Sequence, residues 1–309
     1  MKFKTSVNAS EKNLLILHAT VFIWGFTGIL GALISVSAVY LVWYRLLIAF
    51  VSLFLYFIFA RVDFRVDWRS FFQLIFTGAL VGMHWLLFFQ SIKISTVSVT
   101  LVCLSAMTLF TAIFEPLVTN KKISRLEIFA GLMIITGIVL IFKFETQYTK
   151  GIILGLISAA AASIFSIINS QLVQQKPAPV IAFYELSGAF FWLSVYLFFI
   201  GGFKNSLSLK QDDLVYLLLL GTVCTSVAYV AGVSVMRELS AFRVALITNL
   251  EPVYGIIMAF IFFGDLKKMT PGFWIGAFLI LSTIFLFPVA QQKIANYKMK
   301  NKLNKRVNS

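Results

Sequence analysis

The chain has 309 residues, 60% of them hydrophobic and only 12% charged, which is more apolar surface than the interior of a soluble domain of this length can hide. Its charges, 26 Lys and Arg against 12 Asp and Glu for a net +14, collect in short polar breaks and in a basic tail from Lys293 to Arg306. They mark segments facing an anionic leaflet and give no sign of nucleic acid as a partner.

Between the breaks lie apolar stretches of roughly 18 to 24 residues, enough for a helix to cross a bilayer, so the expected class is an all-α membrane protein. In chain order, spans are expected at Asn13–Leu33, Ala38–Ala60, Ser70–Ile92, Ser95–Val118 and Arg125–Phe142. The second half repeats the number, at Gly151–Val173, Val180–Gly201, Leu214–Met236, Ala241–Phe263 and Gly272–Val289. The chain then divides into a cytoplasmic tail 1–12, a five-helix unit 13–142, an extracytoplasmic linker 143–150, a second five-helix unit 151–289 and a cytoplasmic tail 290–309. The first apolar segment lacks a small-residue cleavage site and is expected to stay as an anchor. Cys103 and Cys224 fall inside apolar runs, as small packing residues do.

Basic loops are retained in the cytoplasm. With the N-terminus inside, the inner segments hold 18 Lys and Arg, the outer loops 7, and Arg45 lies within a span. The reversed orientation puts the whole basic tail outside, so both termini are expected to be cytoplasmic. The halves also look related. Ala38–Phe50 (AVYLVWYRLLIAF) lies over Ala178–Phe190 (APVIAFYELSGAF) with five identities in thirteen, and Val97–Phe142 lies over Phe242–Phe287 with six. Five is an odd number of spans, so a second copy runs through the membrane inverted, a layout used by secondary transporters.

Four segments carry a family resemblance: WGFTGILGAL (Trp24–Leu33), YRLLIAF (Tyr44–Phe50), NLEPVYGIIMAFIFFGD (Asn249–Asp265) and IGAFLIL (Ile275–Leu281). In their order and spacing the chain resembles the EamA-type family of the drug/metabolite transporter superfamily over nearly its whole length. The resemblance implies ten helices in two inverted five-helix repeats, and export or exchange of metabolites such as amino acids across the bacterial plasma membrane. The first repeat departs from the pattern, because Met107 stands where the second has Pro252.

A charge near the bilayer centre costs at least ~2.5–3.5 kcal/mol on insertion scales, so it needs a partner, a wet cavity or a proton. Glu251 lies about ten residues into its span, roughly 15 Å deep at ~1.5 Å per residue. Pro252 removes an N–H and frees the Thr248 carbonyl, which should kink that helix. With Asn249 and Tyr254 the segment offers groups for a substrate ammonium or a coupling proton; a kinked packing helix with a locally bonded Glu is the alternative. His84 and Trp85 are also near midplane, as a proton relay and a stacking surface or as an interhelical bond and packing. Arg45 and Glu185 occupy matching repeat positions, the first expected in the outer third and the second in the inner third, too far apart to pair. They read as cavity or gate electrostatics, or as snorkelling and local bonding. Glu115, before Pro116 and close to Lys121 and Lys122, reads as a cytoplasmic gate or interfacial ion pair. His18 is expected at the inner interface. Gly25, Gly28 and Gly31, Gly78 and Gly82, and Ala159–Ser163 place small residues at helical spacing, where helices pack closely.

Competing classes are an intramembrane enzyme and a channel. Asp63 and Asp67 have a diphosphate-site spacing, but Arg61, Arg65 and Arg69 alternate with them and no second Asp pair faces them. With two histidines in all, no metal site is expected, nor a nucleotide-binding loop, a serine-hydrolase elbow or a cofactor. The expected function is gradient-driven export of amino acids or related small metabolites by alternating access, proton coupling included; a nucleotide-sugar exchanger is the alternative. Expected partners are the small-molecule substrate and the lipid bilayer, with a homodimer left open.

Overall fold

The computed structural model describes residues 3–61, 63–119, 125–204, 208–264 and 269–307. Among the described residues the regular structure is helical throughout: α1 (Phe3–Leu33), α2 (Ala38–Ala60), α3 (Trp68–Ile94), α4 (Val97–Leu104), α5 (Met107–Thr119), α6 (Arg125–Phe144), α7 (Thr149–Leu172), α8 (Ala178–Phe199), α9 (Gln211–Gly221), α10 (Ala228–Val235), α11 (Ala241–Thr248), α12 (Leu250–Phe263) and α13 (Pro271–Val307). A π-helical turn at Thr222–Val227 joins α9 to α10. Among the described residues nine segments are long and apolar enough to cross a membrane, and α6 adds a shorter apolar stretch, Ile128–Phe144.

Local chemistry sets the helix starts. The Asp67 carboxylate accepts the Ser70 N–H at 3.0 Å to begin α3, Thr96 accepts from Val99 N–H at 3.1 Å to begin α4, and Ser240 accepts from Arg243 N–H at 3.3 Å to begin α11, each an N-cap satisfying a free donor. Large apolar side chains point outward: Phe59 and Phe199 are each 81% exposed and Phe278 75%, surface suited to a lipid environment.

Two of the expected continuous spans are interrupted. The ninth breaks at Asn249, three residues before Pro252. The fourth breaks after Leu104, at the matching repeat position, with no proline there. In the fourth span Ser105 N–H is shared between the Leu101 and Val102 carbonyls, at 3.2 Å each, and Ala106 N–H turns back to Cys103 O at 3.1 Å. This three-residue tightening ends an α-helix from within. The breaks are tied together, since the Asn249 amide donates to Thr108 Oγ1 at 2.5 Å.

The packing is symmetric when each of the ten described helical segments n is exchanged with n+5, the pairs α4–α5, α9–α10 and α11–α12 counting as one segment each. The third segment packs on the seventh as the eighth packs on the second; the third meets the sixth as the eighth meets the first; the first meets the ninth as the sixth meets the fourth. The second and seventh, fourth and ninth, and fifth and tenth pack on each other. The helix starts are tied in the same manner. Asp213, in the first turn of α9, accepts from Ser35 N–H at 2.7 Å and Ser35 Oγ at 2.5 Å, while its counterpart Asp67 pairs with Lys176 at 3.1 Å. At the Asp213 end of the bundle, Lys93 donates to the Ile34 carbonyl.

Candidate functional site

A cavity of about 750 Å³, counting the open space at its mouth, lies among segments of both repeats. Trp24 and Thr27 of α1, Arg45 of α2, His84 and Trp85 of α3, Asn169 of α7, Tyr229 of α10 and Glu251 of α12 contribute to its wall. Met236 and Val244, where α10 hands over to α11, also line it. The residues tied at the opposite end, Ser35, Lys93 and Asp213, do not.

Arg45 is 1% exposed. Its guanidinium carbon sits 3.8 Å from the centre of the Trp85 ring and 5.4 Å from that of Phe89, within range for attraction to a ring face. Its Nε–H donates to Thr225 Oγ1 at 2.6 Å, and that hydroxyl in turn donates to the Leu220 carbonyl at 2.5 Å. Arg45 therefore does not snorkel to an interface.

Glu185 is completely buried behind the wall. Its Oε2 accepts from Tyr229 Oη at 2.7 Å and Asn169 Nδ2 at 3.0 Å, and both of these partners line the cavity. Trp85 and Tyr229 meet edge to face at 6.0 Å. Arg45 and Glu185 thus approach one wall through an aromatic pair, without an ion pair between them.

His84 binds α3 to α7: its Nδ1 lies 3.0 Å from the Ser158 carbonyl and 2.8 Å from Ser158 Oγ, which itself donates to the His84 carbonyl at 2.9 Å. Because a carbonyl only accepts, this geometry places the hydrogen on Nδ1 and leaves Nε2 an acceptor. His84 is both an interhelical tie and part of the wall.

Glu251 has no hydrogen-bond partner among the described residues, and Arg45 is the charge that acts on it. Its sequence neighbours are directed elsewhere. Asn249 spends its amide on Thr108 and, at 3.0 Å, on the Ala245 carbonyl, and Tyr254 packs edge to face on Phe22 at 5.4 Å. Neither lines the cavity, because residues two apart on a helix face opposite ways and because the turn carrying Tyr254 lies against α1. Pro252 is buried beside the break. Glu115 is buried, 7% exposed; Lys121 and Lys122, its expected neighbours as a cytoplasmic gate or interfacial ion pair, lie outside the described residues, as does Asp265. Cys103 and Cys224 are free thiols in buried positions.

Asn169, Tyr229, Thr27 and Thr225 escape the sequence reading. An amide and a phenol inside apolar runs were the available signals, and weak ones, since both residue types also serve as helix–helix ties. Four buried side-chain atoms lack a partner among the described residues: Thr27 Oγ1, Arg45 Nη1, Asn169 Oδ1 and Glu185 Oε1. Three belong to the cavity wall, and the fourth to the carboxylate bonded directly behind it.

A search of curated proteins gives no match. Among solved structures 29 chains match. One, described only as the crystal structure of a protein, is 14% identical, covers 90% of this chain and 98% of its own, and has a TM-score of 0.68; at that identity the likeness speaks for the fold alone. The family model for EamA-like transporters matches twice, over residues 12–143 and 149–288. With a doubled match across most of the sequence, and a symmetric bundle of apolar helices around a cavity lined from both halves, the chain is a multi-pass integral membrane transporter and belongs to the EamA-like transporter family.

Proposed function

We propose that this transporter exports amino acids or related small amphoteric metabolites from a bacterial cell by alternating access. It does so as ten spans in two inverted five-helix repeats with both termini in the cytoplasm. The observation that carries the reading is the gathering of unpartnered buried polar atoms at one cavity. A buried polar group without a partner costs about 1–3 kcal/mol, so three in the wall of one cavity suit a site that a polar ligand completes.

The wall carries one carboxylate, Glu251, and one guanidinium, Arg45, matching a ligand that bears both charges. Glu251 takes the substrate ammonium or a coupling proton, and Trp85 supplies an apolar face. His84, with a ring nitrogen to spare, is placed to accept a proton. A nucleotide-sugar exchanger calls for more cationic groups at its phosphates than the single Arg45. The excess of Lys and Arg on one side supports the orientation, and it makes the α10–α11 end, where the cavity wall lies, the cytoplasmic one. The pairwise symmetry of the packing supports rocking of one repeat against the other.

The test is metabolite profiling of the medium around cells expressing wild type, Glu251→Gln at equal membrane level, or neither. The expected result is that specific small zwitterions accumulate outside with wild type only. Matching wild-type and Glu251→Gln profiles that both differ from empty cells would keep export and remove Glu251 from it. No difference from empty cells in either would count against export.

A further inference from the structure

We infer that Arg45 is an anion-binding subsite for the substrate's oxyanion, a carboxylate or its chemical equivalent, and that the π-helical turn of residues 222–227 is the device that orients it. The inference rests on the transport reading above and adds to it the group on the ligand that is recognised.

The first ground is a buried charge without a direct ion pair. Arg45 is buried to 1% exposure, forms no ion pair among the described residues, and has Nη1 without any partner. A guanidinium taken out of water this way needs a counter-charge, and the ring of Trp85 offsets only part of that need. Glu251 lines the same cavity and attracts Arg45 across it, without a direct ion pair or hydrogen bond between them. The planar fork of a guanidinium matches a carboxylate with two parallel hydrogen bonds, which an incoming ligand can supply.

The second ground is the construction around it. A π-turn carries one residue more than an α-turn needs and recurs at functional sites. Here it places Thr225 so that the hydroxyl gives its hydrogen to Leu220 O, five residues back, and presents its oxygen to Arg45 Nε. The hydroxyl is thereby committed as an acceptor. Ser226 repeats the five-residue pattern to Gly221 O at 3.1 Å and reaches Ser52 Oγ at 2.7 Å, fastening the turn to α2 beyond Arg45. Gly221 brings the backbones together: a Cβ there would stand 2.7 Å from Ile48 Cβ and 3.1 Å from the Arg45 carbonyl. Nε and one face of the guanidinium are thus occupied by protein, which fixes the plane of the group beside the cavity. Thr225 is a positioning residue, and Arg45 is the one that would touch ligand.

The test is ligand-induced thermal stabilisation of the purified full chain in detergent micelles, with each of the common amino acids compared with its primary amide at neutral pH. The amide keeps the ammonium and side chain and lacks the anion. Wild type should be stabilised by at least one acid and not by its amide. Arg45→Gln should weaken the response to that acid by about tenfold or more. Thr225→Val should weaken it in part, with Thr225→Ser restoring it, which a merely structural role at Thr225 would not produce. If Arg45→Gln does not fold, the acid–amide contrast in wild type and the Val–Ser contrast at Thr225 still decide. Equal stabilisation by acids and amides, or an acid response unchanged in Arg45→Gln, would overturn the anion subsite while leaving the transporter reading in place. A wild type that responds to neither series would overturn the substrate class and, with it, this inference.

Discussion

Residues 45, 84, 85 and 251 stand out in the sequence because each is polar or amphipathic inside an apolar run, and the fold brings all four to one wall. That signal carries depth but not direction. Asn249 is as deep as Glu251 and turns its amide to Thr108 in another segment; only the packing of that segment decides the matter. Asn169 and Tyr229 were illegible for the converse reason. Their worth comes from Glu185, a residue distant in sequence that places its carboxylate between them. Leaving a buried polar group short of a hydrogen bond costs about 1–3 kcal/mol. Tyr229→Phe should therefore lower the thermal stability of the purified protein by an amount in that range, with little change in bulk. An unaltered unfolding transition would mean that the phenol does not support Glu185.

At the scale of elements, helix existence followed from run length and hydropathy, whereas the internal breaks did not. Pro252 announces an interruption in the ninth span. The fourth span shows the same one through Ser105 and Ala106, whose backbone tightening leaves no comparable mark in composition. The small residues of α3 were legible as packing positions, and the structure supplies the partner: a Cβ on Gly78 would stand 2.3 Å from the Glu185 carbonyl oxygen and 2.8 Å from Ala189 N. These are backbone atoms that cannot swing aside, so Gly78→Val should destabilise by about 1–3 kcal/mol or more, read as lost folded yield or a lowered unfolding temperature. At the start of α3, Asp67 lies outside the membrane-spanning segments, and hydrogen bonds from Ser70, then Lys176, hold its carboxyl well below the usual carboxylate range. A depressed value means that the charged form is favoured by folding. Its contribution is complete above the unfolded value of about 3.9 and is lost as pH falls through the folded one. The stability gap between wild type and Asp67→Asn should hold from pH 7 to about pH 5 and close in stronger acid; a gap that widens on acidification would contradict the assignment.

For the whole molecule, the faint internal repeat becomes a rule of packing in which contacts between segments recur under exchange of the halves. Few identities survive because the constraint is on which helices touch, and many apolar side chains meet it equally. The departures from symmetry are concentrated in chemistry: Arg45 stands where the second repeat has Glu185, and Asp213 reaches Ser35 where Asp67 reaches Lys176. A scaffold that repeats while its charges do not is suited to alternate around a cavity and still recognise an asymmetric ligand.

The central claim is that this cavity holds the transported compound. Cysteine placed at Ser166, on the wall, in a protein with Cys103 and Cys224 replaced, should react with a maleimide more slowly when the transported compound is present. Cysteine placed at the exposed Lys210 should react at an unchanged rate. Slowing at position 166 alone is the predicted result; equal rates at position 166 with and without the compound would contradict the account.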